Sequence, residues 1–71
     1  MDIKQKFGQN LRYMRKKKGL SQEKFAFEAD IHRTYVSDVE RGIRNPTITV
    51  VEKLAKALDV SPGSLLDGKK N

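Results

Sequence analysis

Five side chains that donate or accept hydrogen bonds, Arg33, Thr34, Ser37, Asp38 and Arg41, recur at the spacing of one helical face, while Val36, Val39 and Ile43 fall on the other. Such a stripe is suited to recognition rather than to making and breaking bonds. It sits in a chain with 15 Lys and Arg against 9 Asp and Glu, a formal net charge of +6. That balance favours a polyanionic partner, nucleic acid first and an anionic membrane surface second. The excess is N-terminal: residues 1–18 hold seven basic side chains against Asp2 alone.

Other chemistries find little support. There is no cysteine, and His32 is the single histidine, reading as a turn or cap residue, so thiolate and metal sites are not expected. The carboxylates are scattered, no Ser-His-Asp arrangement is possible around a lone turn histidine, and no phosphate-binding glycine loop occurs, so the chain is not expected to be an enzyme. With 71 residues, 37% of them hydrophobic, one small core forms but no deep substrate cavity, so no cofactor or small-molecule ligand is expected. No apolar run approaches the roughly 20 residues of a membrane span. Nor does the N-terminus carry the apolar stretch of a signal peptide, and the cysteine usage fits a reducing compartment, so a cytoplasmic location is expected.

The elements that must carry the stripe follow from periodicity. Ile3, Phe7, Leu11 and Met14 mark one face of a first helix over residues 2–18, which Gly19 ends, with Leu20 as a buried link. Ser21 caps a second helix over about 22–29 that turns Phe25, Ala26 and Ala29 inward, although Lys24 stands where a full capping box would place Glu or Gln. Phe27 shares that face poorly and is expected to cover a satellite core, or else to mark a protein contact. A connection at 30–32 leads to the third helix, about 33–41, stopped by Gly42. After a turn at 43–46, Thr47 opens a fourth helix with Ile48, Val51, Leu54, Ala55 and Leu58 at helical spacing. Ser61-Pro62 then starts a short last helix with Leu65 and Leu66. The expected architecture is a compact all-α domain of five helices over 3–66, followed by a basic flexible tail at 67–71. A turn of about three residues between the second and third helices is helix-turn-helix geometry, in which the exposed face of the third enters a major groove.

The order and spacing of these pieces resemble the lambda-repressor-like helix-turn-helix class, which includes phage repressors, Cro proteins and XRE-type regulators. The resemblance rests on residues 11–22, Phe25-Ala26, Ala29, residues 36–42, Pro46 and residues 54–58. Residues 33–37 with Glu40-Arg41-Gly42 also look like the controller proteins of restriction-modification systems. Asp30 departs from the glycine common at this turn in the family, so the backbone must accept Asp if φ is positive there.

The resemblance implies that Gln22, at the start of the second helix, and Tyr35 contact DNA phosphates, while Arg33, Thr34 and Asp38 face base edges; Ser37 shares their face. A helix N-terminus with free N–H groups favours phosphate. Arg33 can reach guanine O6 and N7 with two bonds. Asp38 either accepts from cytosine N4 or pairs with Arg41 or Arg33 and orients that side chain. Arg41, Arg44 and Asn45 are expected near the phosphate backbone, because the loop after the third helix lies there in this fold class. Lys16-Lys17-Lys18 reads as a solvated face first and a phosphate clamp second. Glu40, on the buried face, needs a partner, and the family implies an ion pair with Arg15 that fixes the angle of the third helix.

These readings converge on a sequence-specific transcriptional regulator that binds double-stranded DNA as a homodimer on a two-fold operator. The fourth and fifth helices, with Val50, Val60, Leu65 and Leu66, are the expected source of the dimer surface. The competing reading is an antitoxin or adaptor that uses the same fold to bind another protein.

Overall fold

Asp2 places its carboxylate on the backbone N–H of Gln5 at 2.9 Å and so starts α1, Ile3–Lys17. The computed structural model describes residues 2–67; of the tail expected at 67–71, Asp67 closes the last helix and 68–71 lie outside the described residues. Side-chain caps open the next three helices as well. Ser21 accepts from Lys24 N–H at the head of α2, Gln22–Ala29. His32 Nδ1 accepts from Thr34 N–H at the head of α3, Arg33–Glu40. Thr47 accepts from Val50 N–H at the head of α4, Ile48–Leu58, and α5 spans Pro62–Asp67. Each cap satisfies one of the N–H groups that a helix start leaves without a partner.

Four helix ends share one device, a residue with positive φ after which the chain bonds back twice into the last turn. Gly19 and Gly42, both at φ 77°, close α1 and α3. Asp30 at φ 58° and Asp59 at φ 60° close α2 and α4, with bonds Ile31 N–H to Ala26 and Val60 N–H to Ala55, both 3.0 Å. The departure at Asp30 is therefore a strained position that an aspartate fills. Removing its Cβ relieves the strain, and Asp30→Gly and Asp59→Gly are each expected to stabilise the domain by up to about 1 kcal/mol, raising Tm by roughly 4–8 °C. Thermal melts of the two variants check this; an unchanged or lower Tm counts against it.

The core comprises Phe7, Leu11, Phe25, Ala26, Ala29, Val36, Val39, Leu54, Ala55, Leu58 and Leu65. α3 packs on both α1 and α2, α4 packs on α2, and α5 lies against α1 and α4. Asn10, buried in α1, donates to the Leu65 carbonyl at 2.7 Å and pins α5 in place. At the crossing of α1 and α3 the backbones touch through Gly8: a Cβ there would stand 2.3 Å from the Val39 carbonyl oxygen.

Several apolar side chains expected inside are outside. Ile3 begins α1 beyond the reach of the core, and Ile48, the first residue of α4, is 89% exposed. Ile43 is 60% exposed because it follows the left-handed Gly42, which takes it off the helical period of Val36 and Val39. Phe27 covers no satellite core. It lies about 200° around α2 from Phe25 and is 82% exposed. Conversely Leu65, expected on a dimer surface, is fully buried, while its neighbour Leu66 is exposed.

Candidate nucleic-acid interface

α3 presents two opposite faces, which is what a reading helix requires. Val36 and Val39 are fully buried on one face; Arg33 and Thr34 are exposed on the first turn of the other, with Ser37 half-buried one turn on. Eight residues at 1.5 Å rise give a rod of about 12 Å, comparable with the width of a DNA major groove. The left-handed Asp30 turns the chain sharply between α2 and α3, so the connection is only Asp30-Ile31-His32.

Next to this stripe lies a cluster of charges. Asp38 sends Oδ2 to Arg44 Nη2 at 3.3 Å and Oδ1 toward Arg41 Nη1 at 3.8 Å. The Arg44 guanidinium also stacks on the Tyr35 ring, its central carbon 4.6 Å from the ring centroid. The structure thus brings Tyr35, Asp38, Arg41 and Arg44 together, and of the two arginines considered for Asp38 it supplies Arg41, with Arg44 added; Arg33 is not in the cluster. Asn45 is exposed and borders a small apolar crevice with Ile3, Lys4 and Pro46.

Behind the stripe sits a bidentate ion pair. Arg15 Nε and Nη2 donate to the two Glu40 oxygens at 2.6 and 3.0 Å, with side chains 7% and 3% exposed. Arg15 Nη1 donates to the Leu20 carbonyl at 2.6 Å. Gln22 Nε2 donates to Glu40 Oε1 at 3.0 Å, so the amide that the resemblance directs at phosphate is held from behind by α3. Among the described residues no buried side-chain nitrogen or oxygen lacks a partner. In the basic run, Lys18 donates to the Ala57 carbonyl at 3.2 Å and Lys17 lies over the Tyr13 ring.

A sequence pattern described as helix-turn-helix matches residues 11–65, which holds α2, α3 and the turn between them. The chain belongs to the helix-turn-helix family. Within it, this helix-turn-helix chain is 54% identical over 67 residues to the control protein C.BamHI of Bacillus amyloliquefaciens, covering 93% of this chain and 83% of that protein. Its fold matches the restriction-modification controller C.AhdI from Aeromonas hydrophila with a TM-score of 0.86 at 52% identity, over 87% of this chain and 94% of that one. The restriction-modification controller C.Esp1396I, solved as a tetramer with its natural 35 base-pair operator, matches with a TM-score of 0.85 at 32% identity, over 96% and 90% of the two chains.

Among the residues that the sequence reading did not single out, Gly8 and Asn10 matter most, because they set how closely α3 and α5 approach α1. A signal was available for Gly8. A glycine in mid-helix costs roughly 0.5–1 kcal/mol relative to alanine, so its presence asks for a close contact.

Proposed function

We propose that this helix-turn-helix chain is a sequence-specific DNA-binding transcriptional regulator that acts in the cytoplasm as a homodimer on a two-fold operator, as a restriction-modification controller. The observation that carries this reading is the two-faced α3: Val36 and Val39 fully buried, Arg33 and Thr34 exposed on its first turn, and two guanidinium groups, Arg41 and Arg44, around Asp38 toward its other end. The similarity to controllers, one of them solved on its operator, supports it. Arg33, Thr34 and Ser37 face base edges; Gln22, Tyr35, Arg41, Arg44 and Asn45 face the phosphate backbone. One hydrogen of the Gln22 amide is held by Glu40, and the second is the one offered to phosphate.

A single module of this size covers only about 600–1,000 Å² on DNA, too little for genomic specificity, which favours two copies. Of the apolar residues expected at the dimer surface, Leu66 is exposed and Val50 and Val60 are half-buried, so these three are the candidates for contact with the second copy.

Selection from a random duplex pool, followed by titration of the enriched duplex at two salt concentrations and by ultracentrifugation, tests the reading. A palindromic motif bound by a dimer with steep salt dependence is expected. Absence of any motif, with weak and purely salt-driven binding, turns the reading toward a protein partner, as an antitoxin or adaptor would have. Arg33→Ala is expected to lose about 1–3 kcal/mol of discrimination at one base position while keeping its affinity for random-sequence duplex. Equal loss on every sequence makes Arg33 a phosphate contact instead.

A further inference from the structure

Asp38 is out of place on a surface meant for a polyanion, since a carboxylate there repels phosphate. Its surroundings account for it. The side chain is only 19% exposed, and its two oxygens face different guanidinium groups, Oδ1 toward Arg41 and Oδ2 on Arg44. Arg44 comes from the segment after Gly42, outside any helix, yet it is held twice: by Asp38 at 3.3 Å and by the face of Tyr35, one turn before Asp38 on α3. Both anchors belong to α3, so the Arg44 guanidinium keeps a fixed place relative to the reading helix. Only one of its five N–H donors is used by Asp38. A cation held in this way meets DNA at its proper place only when α3 is seated in register.

We propose that Asp38 is a positioning residue that, with the Tyr35 ring, sets the Arg44 guanidinium as a fixed arm of the DNA surface and so contributes to sequence preference without itself reading a base. The proposal rests on the DNA-binding reading above. It makes the carboxylate useful through its partners: loss of Asp38 removes an anion, which strengthens binding to any duplex, and frees Arg44, which weakens the preference for the right one.

The test is a double-mutant cycle of wild type, Asp38→Ala, Arg44→Ala and the double variant. Each is titrated against the duplex enriched from the random pool and against a shuffled duplex of equal length, at two salt concentrations. Asp38→Ala is expected to bind the shuffled duplex more tightly and with a steeper salt dependence, while its preference for the enriched duplex falls on the order of tenfold. Arg44→Ala loses preference similarly, and adding Asp38→Ala to it changes the preference no further. Losses that multiply in the double variant overturn the proposal. So does a relaxed preference at one base pair that Asp38→Ala causes when Arg44 is already absent, which would make Asp38 a base reader. If Asp38→Ala lowers the melting temperature, Asp38→Asn takes its place in the cycle with the same expected non-additivity. Wild-type binding that neither Asp38 variant alters sinks this proposal alone; absence of salt-dependent wild-type binding to any duplex sinks the DNA reading and this proposal with it.

Discussion

Gly8→Ala is expected to destabilise the domain by about 2 kcal/mol, lowering Tm by roughly 10 °C, although alanine is the better helix former. Two effects of opposite sign compete. In an isolated helix the substitution gains about 0.5–1 kcal/mol. Here the new Cβ would stand 2.3 Å from the Val39 carbonyl oxygen and 2.8 Å from that of Glu40, and both are backbone atoms that no rotamer change can move. The helices α1 and α3 must separate, loosening Val36 and Val39 from the core and disturbing the seat of Glu40. Overpacking of this kind costs about 1–3 kcal/mol, with backbone-to-backbone contact at the upper end, so steric cost wins over propensity. Thermal or urea denaturation decides it, and a raised Tm would show that propensity governs this position.

Gly8 also marks where the sequence stops being legible. Periodicity located five helices because each buries one face, and the caps Ser21 and Thr47 and the stops Gly19 and Gly42 follow local chemistry that any sequence displays. The mid-helix glycine signals that some backbone approaches α1 closely, but that the partner is the Val39 carbonyl depends on the angle between two helices, and no spacing in the chain encodes it. The same limit explains Ile43 and Ile48. Both are apolar at plausible helical spacing, yet one follows a left-handed residue and the other begins its helix beyond the core. Phe27 is a different case, since its angle around α2 already argued against burial, and its exposure follows from that angle.

The candidate site divides along the same line. The polar stripe and its buried counterpart are properties of one short helix, so period alone separates Arg33, Thr34 and Ser37 from Val36 and Val39. The family resemblance, carried by the order of short motifs, reached further and agrees with the match over residues 11–65 and with the similarity to restriction-modification controllers. The resemblance supplied one engagement of side chains across elements, the Arg15–Glu40 pair, and the others were legible in neither. Arg44 on Tyr35 and Asp38, and Gln22 on Glu40, each join residues whose mutual approach is set by tertiary geometry.

Arg15→Ala carries the largest expected loss, about 3–5 kcal/mol, which for a domain this small leaves much of the population unfolded near room temperature. The ion pair is tolerable in the interior because every requirement of burial is met at once: two parallel bonds to Glu40, a third from Arg15 to Leu20, and a further donor to Glu40 from Gln22. Removing the guanidinium strands a carboxylate that is 3% exposed with one neutral amide for company. Replacing both partners by apolar residues, Arg15→Met with Glu40→Leu, is expected to recover most of the melting temperature, because no charge is then left buried. Function should not recover with it. The pair joins α1, the entry to α2 at Leu20 and Gln22, and the last residue of α3, so it fixes the angle between the two helices proposed to meet DNA. Affinity of the double variant for the enriched duplex, corrected for its folded fraction, should therefore stay below wild type, since Gln22 has lost the oxygen that aims it. An unchanged Tm in Arg15→Ala removes the structural role, and full affinity in the stable double variant removes the positioning one.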